Sequence, residues 1–335
     1  MKRILIILTA MILSLTTLFS FACVNQNGGD KTLEFYAPDG APALSIAKFI
    51  RENENFGINA TINYNVVSAS EIGGVMGQGK GDFIIMPVNA ASKLYKANAN
   101  SPYVLAGVVT HGNLYLMSSD GTSDLQGLKG KVVGVIGQGL VPDLTFKAIL
   151  SANGLLGDVV VGDTATSGKI TLRYFPSAPD MLPIMKQGKI TVGLIPEPAA
   201  TNLTKIANDK TWTRLDVQEL YDAQNKAYPQ AVLMVKKSVY QEYKQKIDDM
   251  AQYFDANALW IKENVADAVQ SVNSKLTIGA TPSLVATNLN STVIDNCKIY
   301  FENAEKSKLA VKEYINKIIA VDDKSAKAIT DDFFA

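Results

Sequence analysis

Histidine occurs once, at His111, cysteine twice and arginine four times in 335 residues, and the formal net charge is zero. Each scarcity excludes something. One histidine and two cysteines do not supply a Cys/His metal framework, and no nucleophile–base constellation is visible, so neither a metal nor a cofactor is implied. Cys23 and Cys297 are poor disulfide partners, because a bond between them would tie a helix near the chain end to a flexible leader. Cys297 reads instead as a small buried apolar residue. Balanced charge gives no reason to expect nucleic acid or an anionic membrane face as a partner.

What the chain does have is a duplication. Ser68–Lys96 reads SASEIGGVMGQGKGDFIIMPVNAASKLYK, and 109 positions later Ser177–Lys205 reads SAPDMLPIMKQGKITVGLIPEPAATNLTK, with eleven identities and no gap. Chance gives about two over such a window at average residue usage. A fainter echo pairs Pro42-Ala-Leu44-Ser45 with Pro142-Asp-Leu144-Thr145. Two similar lobes follow, and the length and the 47% apolar content allow each its own core.

Residues 1–22 have the layout of a secretory signal: Lys2 and Arg3, then an apolar run from Ile4 to Phe21, closed by Ala22-Cys23. The Ala22-Cys23 junction resembles a bacterial lipobox, with Ser20 where that motif usually has Leu, Val or Ile. The resemblance implies lipidation of Cys23 and a tether over 23–31; the alternative is secretion with a free Cys23.

Beyond the leader, strands are expected at 32–37, 58–67, 82–86 and 103–118, the last interrupted at Thr110-His-Gly-Asn113. The second half expects strands at 132–136 and 170–175, followed by the second repeat copy. Each half thus alternates strand and helix, as in a mostly parallel α/β sheet with right-handed crossovers. From Ala231 one more strand leads into a helical region, with helices expected at 282–289 and 290–319 and returning to cover the first lobe.

The YAPDGAPALSIAK opening, the DLQGLKGKVVGV stretch, Glu197-Pro-Ala-Ala and the Asp-Asp-Phe-Phe ending resemble solute-binding proteins of ABC importers of the nitrate/taurine/hydroxymethylpyrimidine type. The resemblance implies a type II periplasmic-binding-protein fold: two α/β lobes, 32–118 with 231–335 and 119–230, joined near Ser118–Gly121 and Tyr228–Ala231 around a ligand cleft. It implies a monomeric extracytoplasmic receptor, lipid-anchored to the bacterial membrane, that hands a small organic solute to the transmembrane subunits of an ABC permease. Rivals are an enzyme on the same fold, pyrimidine-synthase-like or menaquinone-pathway-like, and an extracellular sensor module.

In an open α/β sheet a ligand sits beyond the carboxyl ends of the strands. The candidate residues there are Asp39, Gly40, Ala41, Ser68, Val88, Asn89, Thr110 and His111 from one lobe. Gly137, Gln138, Gly139, Ser177 and Glu197 come from the other, with Tyr228 at the second crossover. Helix N-termini in these loops offer N–H groups to a ligand. Ser68 and Ser177 read equally as capping-box residues with Glu71 and Asp180, Asp39 as an Asx turn, Glu197 as a surface turn residue, and His111 as a solvated polar residue. Tyr36 and Tyr228 are placed to stack on a ring, or simply packed. Gly137-Gln-Gly139 faintly resembles a dinucleotide fingerprint but has Pro142 in place of the third glycine. Arg3, Arg51, Arg173 and Arg214 all lie outside these loops, so no bidentate clamp for a compact oxyanion is expected. With Asp39 and Glu197 at hand, a neutral or amine-bearing ligand fits better.

Overall fold

The computed structural model describes residues 31–98 and 100–335; the proposed signal and Cys23 lie outside the described residues. The chain runs β1 (Thr32–Pro38), α1 (Ala41–Leu44), α2 (Ala47–Glu52), β2 (Thr61–Val67), α3 (Ile72–Gly77), β3 (Phe83–Pro87), α4 (Val88–Ala97), β4 (Tyr103–Thr110) and β5 (Leu114–Ser118). There follow β6 (Lys131–Ile136), α5 (Val141–Ala152), β7 (Val159–Val161), β8 (Ile170–Phe175), α6 (Ala178–Lys186), β9 (Val192–Pro196), α7 (Ala199–Ile206), β10 (Thr213–Asp216) and α8 (Val217–Tyr221). The last part is β11 (Ala231–Lys236), α9 (Lys237–Asp248), α10 (Ala251–Glu263), α11 (Val265–Ser274), α12 (Ser291–Asn296), β12 (Ile299–Asn303) and α13 (Ala304–Val321).

Two six-stranded sheets result, ordered β12-β4-β11-β3-β1-β2 and β10-β5-β9-β6-β8-β7. In the first, β11 and β12 oppose the common strand direction; in the second only β5 does. The repeat is visible atom by atom. Strands β3 and β9 each bury four residues in a row, the unbroken apolar run of a strand covered on both faces. The shared Gln-Gly-Lys ends the preceding helix in the same way twice: Gly79 and Gly188 take φ of 66° and 71°. Lys80 N then donates to Val75 O and Lys189 N to Ile184 O, each at 3.1 Å, which satisfies carbonyls the helix end would leave open.

Three expectations need correcting. Leu114–Ser118, assigned to the first lobe, pairs antiparallel with β9 and β10 in the second sheet. The chain therefore crosses at His111–Asn113, and a fully buried strand carries no sequence mark of which sheet it joins. Ser118–Gly121 is instead a turn inside the second lobe. It is built on Asp120, where burial opposes ionisation but hydrogen bonds from Thr122, Thr191, Lys131 and Ser118 hold the carboxyl below its usual range. Pro282–Leu289 is irregular apart from one 3₁₀ turn at Ala286–Asn288. The expected helix at 290–319 is broken at Lys298 (φ 50°), and the β-branched and aromatic run Ile299-Tyr-Phe pairs with β4 as an edge strand before α13 begins.

The carboxyl-terminal region also does more than cover the first lobe. Helix α13 buries Val311, Tyr314, Ile315 and Ile318 in a core shared by Met86 of the first sheet with Leu116 and Val133 of the second. Tyr314 stacks on Tyr228 with centroids 5.5 Å apart, and its hydroxyl lies 2.6 Å from Thr145 Oγ1 on α5.

Candidate functional site

The two crossovers lie side by side: Tyr228 N donates to His111 O and Gln230 N to Thr110 O. Each delivers a strand that pairs with the strand of one repeat copy just before its turn, Ala231 opposite Pro87 and Leu114 opposite Pro196. The residue preceding each delivered strand then receives the amide of the turn, Val88 N to Gln230 O (3.0 Å) and Glu197 N to Asn113 O (2.8 Å). Gln230 Nε2 donates to Asn113 Oδ1 at 2.9 Å, and Asn113 Nδ2 to Glu197 O at 2.8 Å. This amide chain forms a floor between the lobes. At that floor the buried Asn89 Oδ1 and Gln230 Oε1 have no partner within the protein. His111 Nδ1 and Tyr228 OH at the same crossovers, and Asn273 Oδ1 away from them, are left likewise, and buried polar atoms of this kind call for a partner such as water, an ion or a ligand.

Two walls rise from it. On the first lobe, Asp39 Oδ1 accepts from Gly40 N, and Oδ2 accepts from Ser283 N, both at 2.8 Å. Gly40 has φ 104°, and Ala41 is buried at the head of α1. On the second, Gly137 and Gly139 both take positive φ around the exposed Gln138. The fully buried Asp143 fixes this loop, accepting from Gly139 N (2.8 Å), Tyr174 OH (2.8 Å) and Lys147 Nζ (3.0 Å). Burial and then the Asp143 charge push the Tyr174 hydroxyl pKa upward. Neither α4 nor α5 has a side-chain N-cap; Val88 N is already taken by Gln230 O and Pro142 has no N–H, so it is the following N–H groups, those of Asn89 on α4 and Asp143 on α5, that are left for a ligand or water. Asn89, 4% exposed on the first turn of α4, donates through Nδ2 to Ser325 O at 3.1 Å.

Several candidates are engaged otherwise than expected. The Glu197 side chain is fully buried. It accepts from Thr201 N and Oγ1 on the first turn of α7, and from Arg214 Nη2 at 2.6 Å. His111, expected in solvent, is 3% exposed; it stacks on Tyr300 at 3.6 Å, and its Nε2 lies 3.0 Å from Glu302. Burial lowers its pKa against the pull of Glu302. Tyr228 packs inside the shared core rather than facing open space, and burial pushes its hydroxyl pKa far up. The Thr110 hydroxyl accepts from Ala231 N. Ser68 and Ser177 donate their hydroxyls to Glu71 and Asp180, and neither caps its helix through its side chain. Thus Val88, Asn89, Thr110, His111, Glu197 and Tyr228 gather at the crossovers, while Ser68 and Ser177 stay with their own helices. Asn113 and Gln230, and with them Asp143 and Ser325, are not among the expected contact residues, although Asn113 closes the loop 110–113 expected at the cleft. The first two share a signal, each being the polar residue directly before an apolar strand.

No family model matches this chain, and no curated protein matches it in sequence. Solved structures do match. An ABC transporter protein from Parabacteroides distasonis is 18% identical with a TM-score of 0.71, covering 91% of this chain and 99% of that one. The periplasmic aliphatic sulphonate binding protein SsuA of Escherichia coli is 13% identical with a TM-score of 0.63, covering 91% and 96%. The ligand-binding component of an ABC-type import system from Staphylococcus aureus, solved with zinc bound, is 11% identical with a TM-score of 0.62, covering 91% and 97%. The architecture is therefore the two-lobed α/β fold of periplasmic binding proteins.

Proposed function

We propose that the protein is the extracytoplasmic solute-binding component of an ABC importer, holding a small polar organic molecule between its lobes and presenting it to the permease. The observation that carries this reading is the floor between the lobes, where Asn89 and Gln230 keep buried, unpartnered amide oxygens beside the uncapped start of α4. The names of the matching ABC-transporter structures support the same role. Ligand charge follows from what is already committed. Asp39, Asp143 and Glu197 are each hydrogen-bonded within the chain, and Lys147 is paired with Asp143. A net charge on the ligand would meet no free counter-charge among these groups, so recognition rests on N–H groups and amides; the two orphaned atoms are acceptors, so a neutral or amine-bearing ligand that offers them a donor fits. A lipid anchor at Cys23, a monomeric state and kinship with the nitrate/taurine type belong to the same proposal.

A thermal-shift screen of the purified protein against thiamine precursors, flavins, sulfonates and aromatic carboxylates tests it. A ligand at a hundred times its Kd adds about 2.7 kcal/mol of stability, which raises Tm by roughly 4 °C in a protein of this size. Turnover of a bound compound would sink the receptor reading.

A further inference from the structure

The chain between α11 and α12 is anchored at both ends in the first lobe. At its start it runs along β2, with Val66 N donating to Lys275 O and Thr277 N to Val66 O, each at 2.9 Å. Ser283 N is held by Asp39 Oδ2. Leu284 and Leu289 are buried in the first-lobe core, and Asn290 caps α12 by accepting from Val293 N. Between these two leucines the tip reaches the other lobe. Lys205 Nζ on α7 donates to Thr287 O at 2.8 Å, and Asn288 Nδ2 donates to Asn202 Oδ1 at 3.1 Å.

From this geometry we infer that residues 282–290 are a latch: a strap rooted in the first lobe whose tip, Thr287-Asn288, grips α7 of the second and holds the lobes together. Three observations point the same way. Both cross-lobe bonds use polar groups at or near the surface, Lys205 and Thr287 being exposed and Asn202 and Asn288 half-buried, so they can break and re-form without uncovering core. The root of the strap is Asp39, whose two carboxylate oxygens hold Gly40 N in the cleft wall and Ser283 N in the strap. Any shift of the β1–α1 loop is therefore passed to the latch, and Asp39 becomes a positioning residue rather than a ligand contact. Finally, the strap meets α7, the repeat partner of α4. On α4, Lys96, the equivalent of Lys205, donates through Nζ to Thr330 Oγ1 (3.4 Å) of a second carboxyl-terminal segment, which also meets the start of α4 through Asn89–Ser325 and through Lys327 N to Ser92 Oγ. The two repeat copies are thus each gripped by a strap from the same part of the chain, but only the strap on α7 crosses from one lobe to the other by direct hydrogen bonds. That the latch sets the residence time of a solute rests on the proposed function; the latch itself does not.

The double variant Lys205→Met/Asn288→Leu keeps the unbranched stem of one side chain and the branching of the other and removes both donors. In the ligand-free protein, small-angle scattering should show a larger radius of gyration and a closed-to-open ratio lower by roughly tenfold, the worth of two modest hydrogen bonds. Amide exchange should quicken both in the strap and along α7. Asp39→Asn, which weakens the root instead of the tip, should shift the scattering in the same direction. An unchanged radius of gyration, with faster exchange confined to residues 284–289, would overturn the inference and leave the strap an ordinary packed loop. Because no ligand enters this test, it can fail while the solute-binding reading stands, and the reverse.

Discussion

Replacing Glu197 by Ala should lower the unfolding free energy by about 2–3 kcal/mol, read as a shift of the denaturant midpoint. Its side chain is fully buried and serves three donors: Thr201 N, Thr201 Oγ1 and Arg214 Nη2. Truncation strands the guanidinium, which lies over the Tyr115 ring 3.5 Å from its centroid. It also removes an acceptor from the first turn of α7. Deleting one member of a buried pair costs about 3–5 kcal/mol, and the figure here is lowered because Arg214 keeps 29% of its side chain in solvent. Glu197→Gln keeps the shape and should lose roughly half as much. Its affinity for an identified solute should be unchanged; a loss of tenfold or more at unaltered stability would mean that the carboxylate faces the ligand after all.

Gly112→Val should be more severe, costing about 3–5 kcal/mol and lowering Tm by roughly 4–7 °C. Gly112 sits in the first crossover at φ 84°, where a side chain is strained whatever the space around it. There is also no space. A Cβ would stand 2.5 Å from Cε1 of Tyr228 and 2.9 Å from Cγ of Gln218. Tyr228 cannot swing away, since it is 1% exposed and stacked on Tyr314. The damage would reach both lobes at once, because Tyr314 belongs to the helix that packs on each. Calorimetry showing a wild-type transition for this variant would contradict the packing described at the crossover.

Much of this was legible in the sequence, and the rest was hidden for identifiable reasons. The repeat was readable because its helix ends depend on local chemistry: Gln-Gly-Lys can close a helix only with the glycine left-handed, and both copies do so. Contacts between distant residues leave no such mark. His111 reads as a polar turn residue until Tyr300 and Glu302, 189 and 191 positions later, are brought over it. Glu197 stands out in the sequence as a carboxylate after a buried strand, but its role does not, because Arg214 lies 17 positions away on an edge strand. Asn89 was found from its place after a buried strand, whereas Ser325, which holds it, lies 236 positions on in an irregular segment. Strand β5 reads as part of the first sheet because a short apolar run states its burial but not its neighbour, and β12 reads as helix because a three-residue apolar run does not separate strand from helix.

The central claim, that a solute is held between the lobes at the floor near Asn89 and under the loop fixed by Asp143, is tested most directly by titration calorimetry. The best ligand from the screen would be measured against wild type, Asn89→Leu on the first lobe and Asp143→Asn on the second. One-to-one binding is expected, with affinity lowered about tenfold or more by each variant, as befits a lost hydrogen bond or a loosened loop. Full affinity in both variants would place the ligand elsewhere and contradict the account.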